Sequence, residues 1–182
     1  MMIDTFKIKA EAVGSEVYRF SADEDALSFI VEFLKKEGIA ELNGPTAVWA
    51  DCPFLTAMRK KELVEKVEGL RFDVSFETAA LAKIGISQMD WAIADTGTLM
   101  QNAGAVEQRL VSMLPNIHLA IVSTNKILPD LTTALAEINP RDADYLTFIT
   151  GPSRTADIER VLTIGVHGPE RLIVIFVDQP EN

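Results

Sequence analysis

Thiols, imidazoles and positive charge are all scarce in this chain. Its 182 residues include one cysteine, Cys52, and two histidines, His118 and His167. A single thiol excludes an internal disulfide and cannot supply the cysteine ligands that a protein-held iron–sulfur cluster or a structural zinc needs. The two histidines stand far apart, and no HxxxH, CxxC or carboxylate-rich loop accompanies them, so no metal site is indicated. No cofactor is expected on this chain alone. The 17 basic residues face 27 acidic ones, a formal net charge of -10, which excludes an electrostatic footprint for nucleic acid or an anionic membrane. No apolar run approaches the ~20 residues of a membrane span, and the first residues carry Asp4 without a signal-like apolar core. A cytoplasmic location with no membrane span is expected. Also missing are the GxGxxG, GxxxxGK[ST] and GxSxG patterns, which removes dinucleotide, nucleoside-triphosphate and nucleophile-elbow readings. Cys52 lies between Asp51 and Pro53, with no neighbouring cation to lower its pKa.

What is present is an ordinary globular composition, 48% hydrophobic and 24% charged, at a length that suits one domain over residues 1–182. Leu27, Ile30, Val31 and Leu34 recur at helical spacing up to Gly38, behind a capping-box pair of Ser21 and Glu24. Further helices are predicted over 55–67, 77–83, 106–114, 131–138 and 156–163. Strands are predicted over 17–20, 46–49, 72–75, 89–94, 118–122, 145–150 and 172–177. The turn at Asp95, Thr96, Gly97 and Thr98 leaves its two apolar flanks free to pair as a hairpin or to lie on adjacent strands. Strand alternating with helix predicts an α/β fold with a mostly parallel sheet covered on both faces.

In open α/β sheets ligands gather beyond the carboxyl ends of strands, where helix N-termini present free N–H groups. Residues 151–155 are predicted to occupy such a place, between a strand and the helix after it. Gly151 shapes the turn, Ser153 and Thr155 bring hydroxyls, and Arg154 brings a fork suited to carboxylate or phosphate. A small anionic ligand would fit. Equally, Ser153 or Thr155 would simply cap the helix while Asp157 complements its dipole. Asp95 would orient a polar ligand or act as a base, or belong to a turn with no further duty. His167, beside Gly168, would move a proton near neutrality or bond to loop backbone. His118 opens a buried strand and reads as structural.

The string from Gly151 through Arg154 and Asp157 to Glu159, then Gly165 to Pro169 and an apolar strand ending in Asp178, resembles the signature of the LutC/YkgG family. Ala94 to Thr98 is similar to that family's central turn, and Phe6, Gly14 and the helix ending at Gly38 fit its N-terminal region. The resemblance implies a LUD domain with a three-layer α/β/α architecture of the NagB/RpiA/CoA-transferase-like group. It implies a role in lactate utilisation beside iron–sulfur subunits that oxidise L-lactate to pyruvate, with this chain as an auxiliary subunit without its own cluster. The CoA-transferases of that group use a glutamate before a glycine-bearing turn; here Asp95 precedes Gly97, so that activity is not carried over. The alternative is a stand-alone enzyme or sensor for a small carboxylate or phosphorylated metabolite, which requires Arg154, Asp95 and His167 to converge.

Overall fold

The computed structural model describes residues 1–41, 43–138, 141, 143–155, 163–165 and 167–178. Its elements begin with α1 (Met2–Ala12), β1 (Glu16–Phe20), α2 (Asp23–Lys36), β2 (Thr46–Trp49), α3 (Ala57–Lys66), β3 (Leu70–Arg71) and α4 (Phe76–Leu81). They continue with β4 (Ala82–Gln88), β5 (Trp91–Ile93), β6 (Thr98–Asn102), α5 (Val106–Met113), β7 (Ile117–Ser123), β8 (Ile127–Leu128) and α6 (Leu131–Glu137). The last are β9 (Leu146–Ile149), β10 (Arg154–Thr155), β11 (Thr163–Ile164) and β12 (Arg171–Val177).

Six strands form one sheet in the order β1-β12-β7-β4-β2-β3, and every pairing in it is parallel. The continuous apolar runs of β7 and β12 suit its centre, because a parallel strand is buried on both faces. On one face Trp49, Ile86, Ile121 and Ile175 meet Ile30 and Leu34 of α2 and Leu63 of α3. On the other, Ala120, Val174 and Phe176 meet Phe6 and Ala10 of α1, while Val48 and Ala50 meet Ala79 of α4 and Val111 of α5. The expected α/β architecture with a mostly parallel sheet is thus what forms.

A second sheet, in the order β8-β5-β6-β9, lies outside that expectation. Strands β5 and β6 pair antiparallel as the hairpin allowed for at residues 95–98, and β9 adds to β6 antiparallel. Ala92, Ala94 and Leu99 bury one side of this sheet against α1 and the main sheet, and Ala134 of α6 packs with Ile93 and Met100.

Several local expectations are corrected. Ser21 does not cap α2, whose N-cap is Ala22 with no side-chain bond; Asp23, Glu24 and Asp25 in its first turn complement the dipole instead. The strand expected at 72–75 sits earlier, as β3, because Ser75 is the N-cap of α4: its hydroxyl accepts from Thr78 N–H at 3.2 Å. Lys83 belongs to β4 rather than to a helix, and Thr163 belongs to β11. The rest of the helix expected over 156–163 lies outside the described residues.

The two ends of the main sheet differ. At the amino ends, Arg171 of β12 bonds Glu16 at 2.8 Å and Glu37 at 2.9 Å, and Lys83 of β4 reaches Glu37 at 2.7 Å. These ion pairs tie three strands and the end of α2 together. The carboxyl ends are left to loops and clefts.

Candidate functional site

The signature segments meet around the end of α1. Gly97, at φ 66°, is buried where an added Cβ would strike the backbone of Ala10, so only glycine lets the hairpin turn lie on the helix. Thr98 Oγ1 and Thr150 Oγ1 share a hydrogen bond of 2.8 Å, which joins this turn to the segment 151–155. Gly151 stands against Val13, and Arg154 donates from Nη2 to the Val13 carbonyl. Ser153 N–H donates to Pro169 O at 2.8 Å and Gly165 N–H to Ser153 O at 3.0 Å, with Gly168 packed against Ser153. Thr155 lies in β10, which pairs antiparallel with β11. Asp95, Thr96 and His167 are exposed, and Asp157 lies outside the described residues.

The segment 151–155 does not stand at the carboxyl edge of the parallel sheet. The strand before it, β9, belongs to the antiparallel sheet, and Arg154 and Thr155 are themselves strand residues. Arg154 instead reaches the end of α1, where free carbonyls and the negative end of the dipole attract a guanidinium. Arg154→Ala is expected to lower stability by about 1 kcal/mol, read as a shift in the urea midpoint; an unchanged midpoint would rule out this anchoring role.

A cleft of about 420 Å³ opens instead where β2, β4 and β7 end side by side. Gln88, Met89 and Asp90 lie at the end of β4, Ser123, Asn125 and Lys126 at the end of β7, and Phe54 follows β2. Phe54 is fixed from three directions. Its N–H donates to Gln88 Oε1 at 2.9 Å, its carbonyl accepts from Arg59 Nη1 at 2.8 Å, and the Arg59 guanidinium stands 4.7 Å from its ring centroid. The same guanidinium bonds Asp23, on the cleft wall, at 2.8 Å and so compensates that carboxylate.

Asp90 is held differently. Its Oδ2 accepts the Asn102 N–H at 2.7 Å, and no hydrogen bond to Oδ1 is made among the described residues. Burial raises its pKa, against the lowering effects of the Asn102 N–H and the nearby Lys126 charge. Lys126 is exposed and forms no ion pair within 4.0 Å among the described residues. Ser123 Oγ is shielded from solvent and lacks a partner among the described residues. Among the described residues the cleft therefore offers one cation without an ion pair, Lys126, a carboxyl at Asp90 with one oxygen unbonded, the side-chain amides of Gln88 and Asn125, and an apolar wall of Phe54 and Met89.

The LUD domain family model matches residues 3–177. The chain belongs to the LUD domain family. This LUD domain is 34% identical to Lactate utilization protein C of Geobacillus sp., over 97% of this chain and 78% of that protein. It is 31% identical to Lactate utilization protein C of Halalkalibacterium halodurans, over 94% of this chain and 75% of the relative. A solved structure of a DUF162 family protein from Deinococcus radiodurans superimposes with a TM-score of 0.67 at 21% identity, covering 97% of this chain and 96% of that one. That likeness concerns the fold.

Beside the first cleft of this LUD domain, a second of about 410 Å³ shares Asn125 and runs between Met2 of α1 and Arg19 of β1. Here Arg19 grips Asp178 through two bonds of 3.0 and 3.1 Å, so the two charges compensate each other. None of Asp95, Thr96, Gly97, Thr98, Gly151, Ser153, Arg154, Thr155, His167 and Gly168 lines either cleft. Cys52 is half-buried next to both Trp49 and Asp51, and burial raises its thiol pKa, so it is not an activated nucleophile. No helix among the described residues is long and apolar enough to cross a membrane.

The cleft residues escape sequence reasoning. A signal does exist: Gln88, Asp90, Asn125 and Lys126 are polar groups placed at the ends of apolar runs, where the ends of parallel strands gather ligands.

Proposed function

We propose that this LUD domain serves lactate utilisation as an auxiliary component without a cluster of its own, beside iron–sulfur subunits that oxidise L-lactate to pyruvate. The observation that carries the reading is the likeness to proteins named Lactate utilization protein C, which extends over 94% and 97% of the chain in the two relatives above. Residue supply supports the division of labour. An iron–sulfur cluster is ordinarily held by several cysteine thiolates, and this sequence has only Cys52. Electron transfer would then belong to partner chains, while this one contributes a rigid parallel sheet with an open carboxyl edge.

Deleting the gene is expected to abolish growth on L-lactate as sole carbon source and to leave growth on glucose intact. A tagged copy purified from lactate-grown cells is expected to bring down cysteine-rich subunits. Unimpaired growth of the deletion strain on L-lactate would refute the reading.

A further inference from the structure

We infer that the cleft at the ends of β2, β4 and β7 binds a small 2-hydroxy- or 2-oxo-carboxylate, its carboxylate at Lys126 and Asn125 and its oxygen substituent facing Asp90. The choice among ligand classes follows from the charges. A cation is disfavoured because Asp23 is already paired with Arg59 at 2.8 Å and Lys126 would repel it. A phosphate ester is disfavoured because a single lysine would face two negative charges, with the carboxyl of Asp90 on the wall beside it. A purely apolar molecule would strand the polar groups of Gln88 and Asp90. A monoanion that also carries a hydroxyl or carbonyl oxygen engages Lys126 and Asn125 through its carboxylate and Asp90 through that oxygen.

The geometry supplies the remaining support. The volume of about 420 Å³ lies within the range of small-molecule sites. Asp90 Oδ2 is taken by Asn102 while Oδ1 has no hydrogen-bond partner among the described residues, so Oδ1 can accept from a ligand hydroxyl, or donate to a carbonyl when protonated. Phe54 and Met89 give the carbon skeleton an apolar surface, and the clamp of Gln88 and Arg59 on Phe54 sets that surface before the ligand arrives. The choice of lactate and pyruvate as probes rests on the lactate-utilisation reading; the location of the site does not.

Titration calorimetry on the full chain would compare L-lactate, pyruvate, propionate and inorganic phosphate. L-lactate and pyruvate are expected to bind saturably, and propionate, which lacks the oxygen substituent, at least roughly tenfold more weakly. Lys126→Met, at an exposed position, should keep the wild-type melting temperature and lose lactate binding by roughly tenfold or more. Asp90→Asn should narrow the gap between lactate and propionate. Lack of saturable binding by either acid, phosphate binding as tightly as lactate, or an unchanged affinity in Lys126→Met would each overturn the inference. The two readings fail separately. A gene required for growth on lactate whose product binds neither acid loses only the cleft assignment, and a dispensable gene whose product binds lactate through Lys126 loses only the lactate-utilisation role.

Discussion

Replacing Gly85 by alanine is expected to cost about 3 kcal/mol of stability or more, at the upper end for an overpacked core. Gly85 lies in the middle of β4, in register between Val48 of β2 and His118 of β7. Helix α5 crosses above it so closely that an added Cβ would overlap the Val111 carbonyl oxygen, lie 2.8 Å from the Val111 carbonyl carbon and 2.9 Å from Pro115 Cγ. The residue four beyond Val111 is Pro115, which has no N–H to give that carbonyl, so the helix ends with its backbone pressed onto the strand. A side-chain tip could rotate away from a methyl group, but a helix backbone and a proline ring must move together, and a close-packed interior resists that. The control is Gly104→Ala, where the Cβ would meet only the side chain of Asp144 at an exposed position. Urea denaturation should separate the two variants clearly, and a loss under about 1 kcal/mol for Gly85→Ala would show that α5 is not docked this way.

The same glycine explains part of what the sequence hides. Strand β4 reads Ala-Lys-Ile-Gly-Ile-Ser-Gln, directly after the small-residue helix α4 and with no breaker between them. Gly85 looks like punctuation when it marks a close backbone approach inside a strand. Helix α1 is hidden for another reason: Phe6 and Ala10 are its only buried residues, too thin a stripe to register as a period. The helices α2, α3 and α5 and the strands β2, β7 and β12 are legible because the apolar spacing of each shows against its polar neighbours.

The candidate site is less legible than the fold, because a strand-end cleft has no local sequence. Asp90 and Lys126 stand far apart in the chain and meet only once β4 and β7 are adjacent in the sheet. The segment 151–155 has the glycine, hydroxyls and arginine of a ligand loop, yet it follows β9, and the antiparallel pairing of β9 with β6 keeps it off the parallel edge. Strand direction depends on which neighbours a strand finds, and residue patterns within 151–155 do not carry that information.

Lowering the pH from about 7.5 to about 4.5 is expected to remove roughly 2–3 kcal/mol of stability through His118 alone. His118 is 1% exposed, its Nε2 is 2.8 Å from Ser87 Oγ, and its Nδ1 has no partner among the described residues. Burial lowers its pKa from 6.5 to about 4, since a charged ring there would lose its hydration without gaining a counter-ion. The folded ring is therefore neutral across a window in which the unfolded ring takes up a proton. Stability from this group is present above about pH 6.5, is lost as the pH falls from there through the folded value of about 4, and levels off below it. Carboxylates with lowered pKa, such as Glu37 and Asp178, add their own loss as the pH falls through the ordinary carboxylate range, so the wild-type curve alone cannot isolate the histidine. His118→Gln keeps a polar partner for Ser87 and does not titrate. The difference between the two proteins' urea-derived stabilities should favour the wild type more at pH 7.5 than at pH 4.5, by about the amount above. Parallel curves would mean that the buried ring is solvated or charge-compensated after all.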